Sequence, residues 1–190
     1  MAKNKVHDAR QYTFQPSEPI FVDANVWIYC QPPASQPPPA DVAVYGTILK
    51  NALAAKAQPL IDLMILSEYV YRCCRIEMGA LRRINPKLPQ QKYSDLAKFR
   101  KTQEFPPIAA AISNNVNEIL KLCELQTTEV NAKELDDLLA EYPTGAFDFN
   151  DGVIVTSCRR NGWKLLTHDE GIVGDGIEIL TINSRLLNCP

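Results

Sequence analysis

No stretch of the 190-residue chain approaches the roughly 18 apolar residues that a membrane span needs. The most apolar run, PLIDLMIL, is interrupted by Asp62. The basic N-terminus, MAKNKVHDARQYTF, lacks the apolar core of a secretion signal, so a cytoplasmic chain without a membrane partner is expected. Cysteine is present, but without the spacing of a framework. Cys30, Cys73, Cys74, Cys123, Cys158 and Cys189 are scattered, with one adjacent pair and no CxxC. That argues against both a disulfide scaffold and a structural zinc site, and leaves reduced thiols packed as small hydrophobes. There is no internal repeat. Neither Ser67 nor any cysteine has a base nearby in sequence, so nucleophilic catalysis has no support. His7 carries no signal, and His168 reads as an exposed turn residue. Excess charge is lacking too: 20 basic and 22 acidic side chains give a net charge of −2. What is there, 46% hydrophobic and 22% charged residues, is the make-up of one globular domain, not of a disordered chain, a coiled coil or a collagen-like fibre.

The small net charge hides a polarised distribution. Residues 72–101 carry nine basic side chains against Glu77 and Asp95, a net of +7. Residues 118–151 carry two basic and nine acidic, a net of −7. Such a chain can set a cationic face for phosphates beside an anionic pocket.

Hydrophobic spacing divides the chain into alternating elements. Residues 1–18 read as an irregular polar leader. PIFVDANVWIY opens a buried strand ending near Asp23. QPPASQPPP, residues 31–39, holds five prolines in nine positions and reads as an exposed polyproline-like loop. A helix follows over 41–57 (Tyr45, Ile48, Leu49, Ala52 and Leu53 on one face), then a strand in PLIDLM. ILSEYVYRCCRIEM is helical, with Ser67 as its cap. Residues 80–106 are basic and proline-punctuated, with one short helix from Ser94. Ile108 to Leu125 is an amphipathic helix preceded by prolines, and LQTTEV a short strand. Asn131 and Glu134 form a capping box for a helix with Leu135, Leu138, Leu139 and Tyr142 inward. AFDFNDGVIVTSCRRNG is a helix stopped at Gly162, WKLLTHD a strand and GIEILTI another. Short apolar strands alternating with helices predict an α/β fold, a three-layer α/β/α arrangement around a central, mostly parallel sheet.

Ligands of such sheets bind beyond the carboxyl ends of the strands. Asp23 closes the first apolar strand there, and Asp169 lies just past WKLLT. Glu68 falls in the first turn after the second strand. Asp151 begins the helix leading into WKLLT, three residues after Asp148. Each has an ordinary use as a helix cap, a dipole partner or a turn residue, but all of them meet at one sheet edge. Clustered carboxylates raise one another's pKa, and a hard divalent cation relieves the repulsion. Mg²⁺ or Mn²⁺ suits an all-oxygen site, which points to metal-assisted phosphodiester hydrolysis.

With those residues in view, the sequence resembles the PIN-domain nucleases, the family that includes VapC-type toxins. IFVDANVWIY looks like their opening strand with its first acid, and LSEYVYR like the segment bearing the second. FNDGVIVTSCRRNGWKLLTHD is similar to the closing signature, with Asp151 and Asp169 18 residues apart and Gly162 between them. The resemblance covers residues 19–79 and 107–182. It implies one PIN-like domain over 19–182, flanked by the leader 1–18 and a tail 183–190, with the proline loop and the basic segment 80–106 as additions that make the chain longer than a minimal toxin. It implies an acidic quartet of Asp23, Glu68, Asp151 and Asp169, with Asn25 and Thr167 supporting the site. Mg²⁺ or Mn²⁺ would sit on Asp23, Asp151 and Asp169, with Asp148 as an additional ligand or only a cap, and Glu68 would orient or deprotonate the attacking water. It further implies an endoribonuclease acting on RNA, as a homodimer, with an antitoxin-like protein as partner. Arg82, Arg83, Lys87, Lys92, Arg100 and Lys101 then become candidate phosphate contacts, and Tyr69, Tyr71 and Trp27 candidates for stacking on bases. The alternatives are a catalytically silent PIN-like module that binds RNA or protein, and a DNA flap-type nuclease, whose further acids and helical arch are not evident here.

Overall fold

The structure, a computed structural model, describes residues 5–36, 41–87, 89–172 and 176–188. Six strands form one all-parallel sheet: β1 (Lys5–Asp8), β2 (Pro19–Val22), β3 (Gln58–Ile61), β4 (Glu124–Leu125), β5 (Lys164–Leu166) and β6 (Glu178–Thr181). Their order is β1-β6-β5-β2-β3-β4. Eight α-helices are described: α1 (Ala24–Cys30), α2 (Asp41–Ala54), α3 (Leu63–Ile84), α4 (Leu96–Phe99), α5 (Phe105–Leu122), α6 (Ala132–Glu141), α7 (Phe149–Asn161) and α8 (Ser184–Leu187). The α/β class and the parallel sheet agree with the sequence reading. None of the described helices is long and apolar enough to cross a membrane.

The strand order fixes where a site belongs. From β2 the chain steps to β3 and then β4 in one direction, and returns to place β5 on the other side of β2. That reversal lies between β2 and β5, where the crevice beyond the strand ends opens. With right-handed crossovers, the helices α1 to α5 cover one face and α6 with α7 the other. In keeping with this, α1 packs on α2 and α3, α3 on α5, and α6 on α7. The central strands are buried on both sides, as parallel strands are: Ile20, Phe21, Val22, Leu60, Ile61, Leu165 and Leu166 are at most 2% exposed. Trp27 and Tyr69 join this core and are unavailable for stacking on bases.

Several local expectations are corrected. The leader is not irregular throughout, because Lys5–Asp8 pairs with Glu178–Thr181 as the edge of the sheet; residues 1–4 lie outside the described residues. The described part of the proline loop is docked, not exposed. Tyr69 donates to the Gln31 carbonyl at 2.7 Å, Asn115 to that of Pro32 at 3.4 Å, and Pro33 is buried; Pro37 to Pro39 lie outside the described residues. Helix α3 is longer than expected, and its cap is Asp62, not Ser67. The buried Asp62 carboxylate accepts from the Ile65 amide at 2.7 Å and from the Thr128 hydroxyl. Helix α5 takes its two prolines into its own first turn, and β4 is shorter than LQTTEV. The capping box on α6 is present, but only Leu138 of its four apolar residues is buried.

Candidate functional site

Two backbone hydrogen bonds carry the sheet ladder one residue past its strands. Asp23 N donates to Leu166 O at 3.0 Å and Thr167 N to Leu180 O at 3.1 Å. They fix Asp23 and Thr167 side by side at the β2/β5 crevice. The Thr167 hydroxyl, wholly buried, donates to Asp23 Oδ2 at 2.6 Å. It accepts from the Asp169 amide at 2.9 Å and from Asn25 Nδ2 at 3.5 Å. One donor and two acceptors exhaust a hydroxyl's capacity. Asn25 Oδ1 in turn accepts from the His168 amide at 3.0 Å, and Asp169 Oδ1 from the Gly171 amide at 2.8 Å. Thr167 and Asn25 therefore hold the first and last acids together.

Thr167→Val, which keeps the shape and removes the hydroxyl, is expected to destabilise the chain by about 2–4 kcal/mol. It would leave a buried carboxylate and a buried amide side chain short of partners. Thr167→Ser keeps the hydroxyl and should cost about 1 kcal/mol for the lost methyl. Urea unfolding of the two variants checks this, and equal losses would overturn it.

The other acids arrive on helices. Asp148 is exposed and caps α7, accepting from the Asn150 amide at 2.9 Å. Asp151 stands in the first turn, where the helix N-terminus favours a carboxylate. Glu68, in the second turn of α3, pairs with Arg72 at 3.3 Å. Burial is the largest influence on Asp151, followed by the charges of Asp169, Asp23, Asp148 and Glu68, and together they push its carboxyl up to about 7. Burial also raises Asp23, to about 6. The Thr167 hydrogen bond opposes that rise, and Glu68 and Asp169 add to it. A cleft of about 660 Å³ opens over these groups, lined by Met64, Ser67, Glu68, Tyr71, Arg72, Asp148, Asn150, Asp151 and Asp169. Asp23 is 5% exposed and does not line it.

The four acids of the expected quartet, with Asp148, thus act electrostatically on one another across the crevice. Among the described residues, no three His, Cys, Asp or Glu side chains converge closely enough to form a metal-holding group. The donor set still suits a hard cation, being all-oxygen, with acids outnumbering Arg72, the one cation among the described residues of the cleft lining.

Sequence reasoning missed two features of the surroundings. Arg72, counted only within the basic segment, stands in the cleft itself. His168 is half-buried, not an exposed turn residue: its ring lies edge-on to Tyr29 and Tyr45, and its Nδ1 shares a 3.0 Å hydrogen bond with Tyr45 Oη. Neither tyrosine is near it in sequence, so no local signal could have found the contact. The six candidate phosphate contacts are all exposed, and none of them lines the acidic cleft. Arg82 and Arg83 end α3, about 21 Å along its axis from Glu68 at 1.5 Å per residue. Lys87 and Lys92 lie farther along the chain, and Arg100 and Lys101 follow α4.

Compared with family models and with curated proteins, the chain matches none.

Proposed function

We propose that the chain is a PIN-like endoribonuclease that hydrolyses RNA phosphodiester bonds with Mg²⁺ or Mn²⁺. The observation that carries the reading is that Glu68, Asp151 and Asp169, from separate segments, line one cleft at the switch point of the sheet with Asp23 behind it, near enough for the charges of the other three to bear on Asp151. A divalent cation in such a cleft activates water and neutralises charge on a phosphoryl group. Asp23, Asp151 and Asp169, with Asp148 at the rim, are the residues that would hold it. Thr167 keeps Asp23 in place from behind. Glu68, steadied by Arg72, is placed to accept a proton from water at the cleft surface, and Arg72 offers a guanidinium to a phosphate oxygen. RNA as the substrate rests on the likeness of IFVDANVWIY and FNDGVIVTSCRRNGWKLLTHD to the PIN family.

Cleavage of a mixed-sequence single-stranded RNA, with Mg²⁺ or Mn²⁺ and with EDTA, tests the proposal. Cutting that EDTA abolishes is expected; cutting indifferent to metal, or none, would overturn it. The silent-module reading draws on the absence of a converged metal-holding group among the described residues. It requires binding of RNA without cutting.

Helix α3 also suggests how RNA would lie. Glu68, Arg72, Arg75, Arg82 and Arg83 follow one another at helical spacing, a basic ridge leading away from the cleft. Each phosphate neutralised on single-stranded RNA adds about −0.7 to the slope of log affinity against log salt. Replacing both Arg82 and Arg83 with Ala is expected to flatten that slope by about 1.4, read by fluorescence anisotropy between 50 and 200 mM salt. An unchanged slope would take these two residues out of the interface.

A further inference from the structure

A second depression lies beside the ridge. It is a groove of about 240 Å³ lined by Val70, Tyr71, Cys74, Leu96, Arg100 and Phe105, together with Ser67. Ser67 and Tyr71 line the acidic cleft as well, so groove and cleft share a wall. One side is α3. The other comes from residues 96–105, largely the segment 80–106 that the family resemblance does not cover. The groove is mostly apolar, with Arg100 as the one cation among the described residues that line it, and is smaller than the roughly 300 Å³ at which sites for drug-sized ligands begin.

We infer that this groove receives one unpaired base of the RNA next to the phosphate held in the cleft; the inference rests on the function proposed above. Three observations carry it. The geometry of α3 puts Arg72, Arg75, Arg82 and Arg83 along one stripe and Tyr71 on the flank beside it, with Cys74 and then Val70 further round the helix behind Tyr71. A strand whose phosphates follow the ridge therefore turns a base toward the groove. The Tyr71 ring, 51% exposed, is held from its own helix: Arg75 Nη1 donates to its hydroxyl at 3.2 Å and the guanidinium carbon lies 5.8 Å from the ring centroid. A ring so held loses little freedom when a base stacks on it. Finally, charge is complementary, since Arg72 lines the cleft on one side of the shared wall and Arg100 the groove on the other, as a nucleotide's phosphate and base edge require. A base paired in a duplex cannot enter such a groove, so the segment 80–106 would make the enzyme selective for single strands.

The test uses short single-stranded RNAs carrying 2-aminopurine at successive positions, bound in EDTA to the Asp151→Asn chain so that nothing is cut. One position is expected to change emission strongly. Tyr71→Ala and Val70→Trp, which remove the stack and fill the groove, should abolish that change and weaken binding roughly 5- to 100-fold. Tyr71→Phe should retain it. Val70 and Tyr71 are both partly exposed, and circular dichroism checks that the variants fold. Even emission along the strand, a change that survives both substitutions, or no RNA binding overturns the groove assignment. Metal-dependent cutting by the unmutated chain separately decides whether the nuclease reading stands. A dimer in sedimentation that Val70→Trp dissociates would give the groove to a second copy, and likewise overturns it.

Discussion

Asp151→Asn is expected to slow metal-dependent RNA cleavage roughly 100- to 1,000-fold and, in the same protein, to raise the melting temperature without metal. The two effects share one cause. Burial and four neighbouring carboxylates push Asp151 up to about 7, so above neutral pH the fold carries this charge at a cost. Asparagine has nearly the same shape and no charge. Its gain should appear as about 2–4 °C for each kcal/mol released, the scale for a domain of this size. A residue present for stability would behave in the opposite way. Cleavage by the variant at the wild-type rate, or a lower melting temperature with normal packing, would overturn the assignment.

The metal-free chain is also expected to lose stability as the pH rises from about 4 to about 7. Asp23 moves from 3.8 to about 6 on folding, and Asp151 from 3.8 to about 7. Across that interval the folded chain keeps protons that the unfolded chain has already released. Stability therefore falls with rising pH and levels off above about 7. At 1.4 kcal/mol per unit, Asp23 alone contributes a loss on the order of 2–3 kcal/mol. Mg²⁺ or Mn²⁺ should restore that loss, raising the melting temperature at pH 8 and much less at pH 5, where protons compete for the same oxygens. Scanning calorimetry at the two pH values, with each metal and with EDTA, reads this directly. Equal shifts at both values, or none, would remove the metal from the proposal.

What the sequence made legible was local or sharply bounded. The apolar runs IFV and KLL place Asp23 and Asp169 at strand ends because buried parallel strands admit few polar residues. Asn131 with Glu134, and Gly162 at φ 66°, mark helix ends through their own backbone chemistry. The misread features depend on distant partners. KVHD is a polar edge strand whose neighbour in the described sheet lies some 170 residues away, so its pattern is weak. Prolines 32 and 33 forbid helix and ladder, but not burial: proline has no amide to satisfy, and the carbonyls of Gln31 and Pro32 find donors on α3 and α5. On α6 the spacing of Leu135, Leu138 and Leu139 describes a face, and spacing cannot say how far a neighbour extends to cover it. The candidate acids were legible as residues, whereas the Thr167 hydroxyl's three simultaneous bonds required coordinates.

The hydrogen bond from Thr167 to Asp23 joins residues 144 positions apart. Closing a loop that long costs about 4 kcal/mol of chain entropy before any contact returns it. During synthesis Asp23 leaves the ribosome many seconds before β5 does, at the usual 5–20 residues per second. Until β5 docks beside β2, the carboxylates of this crevice belong to separate pieces of chain. Assembly of the site thus reports that the sheet has closed, and a molecule stalled short of that point carries all the acids and none of their arrangement.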